Sequence, residues 1–150
     1  EGERTPYMNP NATGAFVGLT LRHSQAHMTR AVLEGVAFAF QDCLLTLREA
    51  GPVPDHFLVG GGGAQGGLWR QILSSTLGVS LQTVEGTEHT ATGAALLAGL
   101  GARVFYDLAQ AVASVVRYGA TETPDPADHA LYTAQHARYQ ALYPALNPTS

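Results

Sequence analysis

Apolar residues recur at helical spacing through Met28, Ala31, Val32, Gly35, Val36, Ala39, Phe40, Cys43, Leu44 and Leu47. That pattern predicts an α-helix. Leu33, Ala37, Phe38 and Leu45 widen its apolar surface, so burial on most sides is expected, with an end at Gly51-Pro52. Before it, residues 1 to 13 are polar and carry Pro6 and Pro10, which predicts a loop, and "GAFVGLTL" (14 to 21) predicts a short strand with Gly18 inside it. After it, "DHFLVG" predicts a strand, and Leu68, Trp69, Ile72, Leu73, Thr76 and Leu77 form one face of a helix closed by Gly78. "VSLQTVE" (79 to 85) alternates as a strand does. Thr90 is placed to cap "ATGAALLAGLGA", a helix so rich in Ala and Gly that its backbone should lie close to a neighbour. Asp107 caps a helix expected to reach Arg117, and "TETPDP" reads as a loop. Asp125 as cap and Pro126 at the first helical position open a last helix toward Tyr143-Pro144. No internal repeat or low-complexity segment interrupts the series. Strands alternating with helices give an α/β class with at least partly parallel strands.

Composition narrows the function classes. The 150 residues suit one domain, and 45% hydrophobic against 13% charged residues describes a compact chain with a real core. The net charge is -4, and the eight basic residues are scattered, so no basic stripe argues for nucleic acid or a membrane surface. Gly, Glu and Gln break the apolar stretches before any could span a bilayer. The start has no secretory apolar region, and the single Cys43 allows no internal disulfide, which fits a reducing cytoplasm. The opening "EGERTP" lacks an initiator Met, which is what a piece of a longer protein would show.

Candidate chemistry centres on "DHFLVGGGGAQGGLWRQIL". A strand hands over to a helix through a run of glycines. Glycine lets a ligand approach the main chain, and the helix start offers N–H groups and a partial positive charge to a phosphate. No Lys-Ser or Lys-Thr follows, so this is not a Walker loop. Gly61, Gly63 and Gly66 satisfy G-x-G-x-x-G, and Glu85 ends the next strand about where a ribose-binding acid belongs in a dinucleotide fold. Taken alone, this segment is compatible with an adenine nucleotide, with NAD in a Rossmann-type oxidoreductase module, or with glycines that merely allow tight strand–helix packing.

The rest of the chain adds a family resemblance. "GAFVGLTLRHSQAHMTRAVLE" resembles the carboxy-terminal signature of the FGGY family of carbohydrate kinases, through Gly14, Phe16, Gly18, Leu19, His27, Met28, Ala31, Val32, Leu33 and Glu34. The glycine run is similar to that family's adenosine motif, and "TATGAALLAGLGARVF" to its late Ala/Gly helix. "GERTP" and the end of the chain look most like the xylulose kinase branch. The resemblance implies a fragment of a ribonuclease H-like (actin-like ATPase) C-terminal domain, with all of residues 1–150 belonging to its later part. It implies ATP or ADP as the nucleotide, Mg2+ in the full-length enzyme, and phosphorylation of a pentulose such as D-xylulose to D-xylulose 5-phosphate. Gly61, Gly62, Gly63, Ala64 and Gly66 would line the nucleotide. Gly66 stands where relatives often place Ser or Asn, and Gln65 where Arg is common. The catalytic Asp and the sugar contacts would lie in the N-terminal domain and the upstream part of the C-terminal one, so no catalytic residue and no metal ligand is expected here, and the 150 residues alone should be inactive.

Other side chains carry ordinary expectations. Asp42, Asp55, Asp107, Asp125 and Asp128 are not paired with a second acid in a loop. His23 and His27 are four apart but lack a third ligand, and read as surface or capping residues. Glu34 in its apolar helix needs a partner or a wet stripe, and Arg30 one turn earlier can supply the former. Cys43 reads as a buried inert thiol, Trp69 as a core anchor near the glycines, and Tyr132, Tyr139 and Tyr143 as packed rings with surface hydroxyls. Arg4 reads either as a loop arginine or as one reaching the cleft. An exposed sheet edge, if the first strands lie upstream, predicts a homodimer or a swapped assembly.

Overall fold

A computed structural model describes residues 2 to 86 and 88 to 147. The order is α1 (Gln25–Ala50), β1 (His56–Val59), a short 3-10 turn (Gly62–Gln65), α2 (Gly67–Leu77), β2 (Ser80–Val84), α3 (His89–Gly101), α4 (Leu108–Val115), β3 (Tyr118–Glu122) and α5 (Pro126–Leu146). The strands form one sheet in the order β1-β2-β3. β1 and β2 are parallel, with His56 opposite Ser80 and Val59 opposite Thr83. β3 returns antiparallel to β2, with Leu81 opposite Glu122. Among the described residues nothing pairs with the outer edge of β1.

α2 is the centre of the packing, against α1, α5 and the sheet. Ile72, Leu73 and Leu77 join Ala37, Phe38, Leu44, Val79, Leu81 and Tyr132 in the core. Ser74, Ser75 and Thr76 of α2 are buried too, and the two serines find partners outside their own helix, whereas the Thr76 hydroxyl has none among the described residues. Ser74 Oγ donates to the Val79 carbonyl at 2.8 Å, and Ser75 Oγ accepts the Asp125 N–H at 3.1 Å. Gly78 ends the helix in the left-handed region (φ 65) against α5, where a Cβ would lie 2.7 Å from the His129 ring.

Several expectations need correction. Residues 14 to 21 form no strand: they lie exposed, with Phe16 at 48% and Val17 at 58%, and no described segment pairs with them. α1 is a long helix as expected, but it is not buried on most sides. Its Ala37–Phe38–Leu44 face packs, whereas Val32, Val36, Phe40 and Leu47 remain about half exposed, Phe40 beside the Trp69 ring of α2. α3 begins one residue before Thr90, with Glu88 at the cap position. Its close neighbour exists, at Gly99, where a Cβ would come within 2.7 Å of the Phe105 ring; at Gly93 and Gly101 such a Cβ would meet open space. α4 stops at Val115, and a third strand follows where a helix end and a loop were expected. β3 hides in the sequence because Gly119 interrupts it. The sheet requires that glycine, since a Cβ would sit 2.5 Å from Thr83 Oγ1 on the paired strand. Asp107 and Asp125 cap their helices as expected, Asp125 through both Ala127 and Asp128 N–H at 2.9 Å, and α5 runs past Pro144. The N-terminal loop is tied down by a bridge between Glu3 and Asn9 and by Tyr7, whose ring stacks on Tyr143 at 3.7 Å.

Candidate functional site

The glycine turn joins the carboxyl end of β1 to the start of α2, the end of a parallel pair where α/β folds bind ligands. Each glycine there has its own reason. A Cβ on Gly60 would lie 2.9 Å from the His89 ring, so Gly60 allows α3 to close on β1. Gly61 takes φ 82, a conformation L side chains rarely adopt. Around Gly61, Gly62 and Gly63 a Cβ would meet nothing within 4 Å. Tight packing therefore accounts for Gly60 and leaves the next three facing open space. Ala64 N–H closes the turn on the Gly61 carbonyl at 3.1 Å, and Gly66 becomes the cap of α2, its carbonyl accepting from Arg70 N–H at 3.0 Å.

Two cavities flank Gly61. One, of about 480 Å³, lies among Leu58, Val59, Gly60, Val84, His89 and Thr90. The other, of about 330 Å³, lies among Ala64, Gln65, Arg70, Thr83, Glu85 and Gly86. Both are open to the surface, with apolar residues predominating in the first and polar side chains in the second. Of the predicted residues, Gly61 borders both cavities and Ala64 the second, while Gly62, Gly63 and Gly66 line neither. Glu85 is exposed and borders the second cavity, with its N–H donating to the Arg117 carbonyl at 2.9 Å.

Arg70 was not singled out from the sequence. Its Nη1 donates to the carbonyls of Ala64 at 2.7 Å and Gln65 at 3.0 Å, and its Nη2 to Glu122 Oε1 at 3.0 Å. The available signal was a lone basic residue one turn into the helix that follows the glycines. Its acid partner lies on the strand the sequence reading missed.

The remaining candidates serve structure. His27 Nδ1 accepts the Ser24 N–H at 3.2 Å at the start of α1, and His23 Nδ1 accepts the Thr20 N–H at 2.9 Å, so the capping reading holds. Glu34 accepts from Arg30 Nε at 2.7 Å and from the Tyr132 hydroxyl at 3.1 Å, which ties α1 to α5, not to the glycine turn. The Tyr132 hydroxyl therefore lies inside, contrary to expectation, and burial pushes its pKa up. Bonding to Glu34 raises Arg30 further above its ordinary value. Asp42, read from the sequence only as an acid without an acidic partner, is buried and bonded to His136 and Gln140 on α5. Cys43 is half-buried, and Trp69 packs at the core edge with its ring 6.5 Å from Phe40. Arg4 is exposed on the N-terminal loop. Among the described residues no three His, Cys, Asp or Glu side chains gather as metal ligands would, and no helix is long and apolar enough to cross a membrane.

Comparison with known proteins gives this site a family. Residues 1–102 match the model of the C-terminal domain of the FGGY family of carbohydrate kinases. The chain is 35% identical over 148 residues to the xylulose kinase of Escherichia coli K12, covering 98% of this chain and 30% of that protein. It is 30% identical over 142 residues to the xylulose kinase of Staphylococcus epidermidis, covering 95% and 29%. The solved ligand-bound xylulose kinase of Lactobacillus acidophilus superposes with a TM-score of 0.87 at 27% identity, over 97% of this chain and 30% of that one. The chain spans about a third of the length of these relatives, and the dinucleotide-binding alternative finds no support among them. With a family model covering more than half its residues and a ribonuclease H-like fold shared with those kinases, the chain belongs to the FGGY family of carbohydrate kinases.

Proposed function

We propose that residues 61 to 66 form the adenosine side of the ATP site in a cytoplasmic carbohydrate kinase. ATP would supply the γ-phosphoryl group passed to a sugar hydroxyl, and the acceptor we infer is D-xylulose, giving D-xylulose 5-phosphate. One observation carries the nucleotide reading: a Cβ at Gly61, Gly62 or Gly63 would meet only open space, at the start of the 3-10 turn that leads into α2. Those residues fit a ribose and phosphate, because bare amides can approach within hydrogen-bonding distance where any Cβ would intervene. The xylulose reading rests on the names of the relatives given above. Phosphoryl transfer also needs a base for the sugar hydroxyl and Mg2+ ligands. We assign those roles, and the sugar contacts, to parts of the kinase outside these 150 residues, which by themselves would not turn over ATP.

Calorimetry of this chain with ADP and NAD tests the nucleotide assignment. ADP binding without NAD binding is expected; NAD binding that is lost in Glu85→Ala would overturn it. In the full-length protein, ATP turnover with D-xylulose well above that with other pentuloses, polyols or gluconate is expected. A preference for another acceptor would remove the substrate and leave the nucleotide assignment standing.

A further inference from the structure

Resting on the nucleotide reading, we propose that Arg70 is a positioning residue for that site, holding the glycine turn in its binding shape by gripping two of its carbonyls. Nη1 donates to Ala64 at 2.7 Å and Gln65 at 3.0 Å. Nε and Nη2 both donate to Glu122 Oε1, at 3.2 and 3.0 Å. The side chains are only 14% and 23% exposed. The division of labour within the guanidinium matters. Glu122 on β3 holds one edge of the planar fork, which aims the remaining nitrogen at the turn.

A turn built from glycine is soft, because each glycine has the largest backbone freedom to lose. The carbonyls at the end of a 3-10 segment have no partner within it. Arg70 satisfies two of them. In a trans peptide the N–H points opposite to the C=O. Drawing the Ala64 and Gln65 carbonyls toward Arg70 therefore turns the amides of Gln65 and Gly66 to the far side of the strand of backbone, away from the guanidinium. The shape of the turn is set before a ligand arrives at Gly61, Gly62 and Gly63, and pre-setting lowers the ordering cost of binding. β3 acquires a role by the same route: it carries the carboxylate that orients the clamp.

The test compares Arg70→Ala, Arg70→Lys and, as a control, Tyr132→Phe in the full-length protein. The control removes a distant hydrogen bond between α1 and α5. Each is measured for ADP affinity by calorimetry, for KM of ATP, KM of the acceptor and kcat, and for thermal midpoint. Arg70→Ala is expected to weaken ADP and raise KM for ATP about tenfold, with kcat at saturating ATP and the acceptor KM unchanged. Lysine keeps the charge but not the fork, so Arg70→Lys should fall between Ala and the native protein. Tyr132→Phe should lower the midpoint and leave ADP affinity alone. The clamp is overturned if Arg70→Lys, the variant closest to the native fold, binds ADP as the native protein does. Equal losses in kcat, acceptor KM and ATP KM also overturn it, since they mark general damage. Absence of ADP binding in the native protein would instead overturn the nucleotide site itself.

Discussion

His136 Nε2 on α5 meets Asp42 Oδ1 on α1 at 2.9 Å, and Gln140 Nε2 donates to the same oxygen at 2.8 Å. Asp42 is 6% exposed, so this bond stands in place of water. A buried polar group that loses its partner bears the full desolvation cost. Asp42→Ala strands two donors at once, and should destabilise the chain by about 3 kcal/mol, measured by urea denaturation. Asp42→Asn keeps an acceptor oxygen and should lose less. Equal stability in Asp42→Ala and the native chain would show that the seam between α1 and α5 is held by the rings around it alone.

Gly62→Val separates binding from folding. A Cβ at Gly62 meets nothing within 4 Å, so the fold has room for the side chain. The expected result is a thermal midpoint close to native and ADP affinity reduced at least about tenfold in calorimetry. Retained affinity would place the nucleotide elsewhere.

These two sites differ in how much of each the sequence carried. The glycine turn was legible because strand, glycines and helix occur in order and chemistry attaches to that order. The Asp42–His136 bond was not, since 94 positions separate its partners and nothing local marks Asp42 as inward-facing. α1, α2, β1, β2 and α5 followed from apolar spacing and caps. β3 was lost because Gly119 serves its partner strand, not its own propensity. Residues 14 to 21 misled in the opposite sense: they have strand-like side chains and no described partner, and a strand exists only in pairs. Arg70 was invisible for want of β3, which carries Glu122.

Alkaline conditions should loosen α5 from α1. Burial raises the pKa of Tyr132 and of Tyr139 above the usual tyrosine value. In the interval between that value and the raised one, the unfolded chain releases protons that the folded chain retains. Stability from these hydroxyls is therefore complete below pH about 10 and declines as pH climbs through the raised values. Urea midpoints taken across this range should fall with pH, and less steeply in Tyr132→Phe. Identical slopes in the two proteins would mean that the Tyr132 hydroxyl does not contribute.

Leu58 on β1 is 52% exposed, nothing among the described residues pairs with the outer edge of that strand, and α1 exposes Val32, Val36 and Phe40. Unpaired strand edges and apolar faces recruit further copies. We expect the 150-residue chain to self-associate, with a mass by light scattering that rises with concentration toward a dimer. A constant monomer mass would count against this.

The stack of Tyr7 on Tyr143, with Asn9 bonded to the Tyr143 hydroxyl, joins residues 134 positions apart in the case of Asn9. During synthesis this loop emerges before α5 and must wait for that helix before Tyr7 and Asn9 have Tyr143 to rest on. It should be among the last segments of these residues to become protected from proteases, although it precedes α1 to α5 in synthesis.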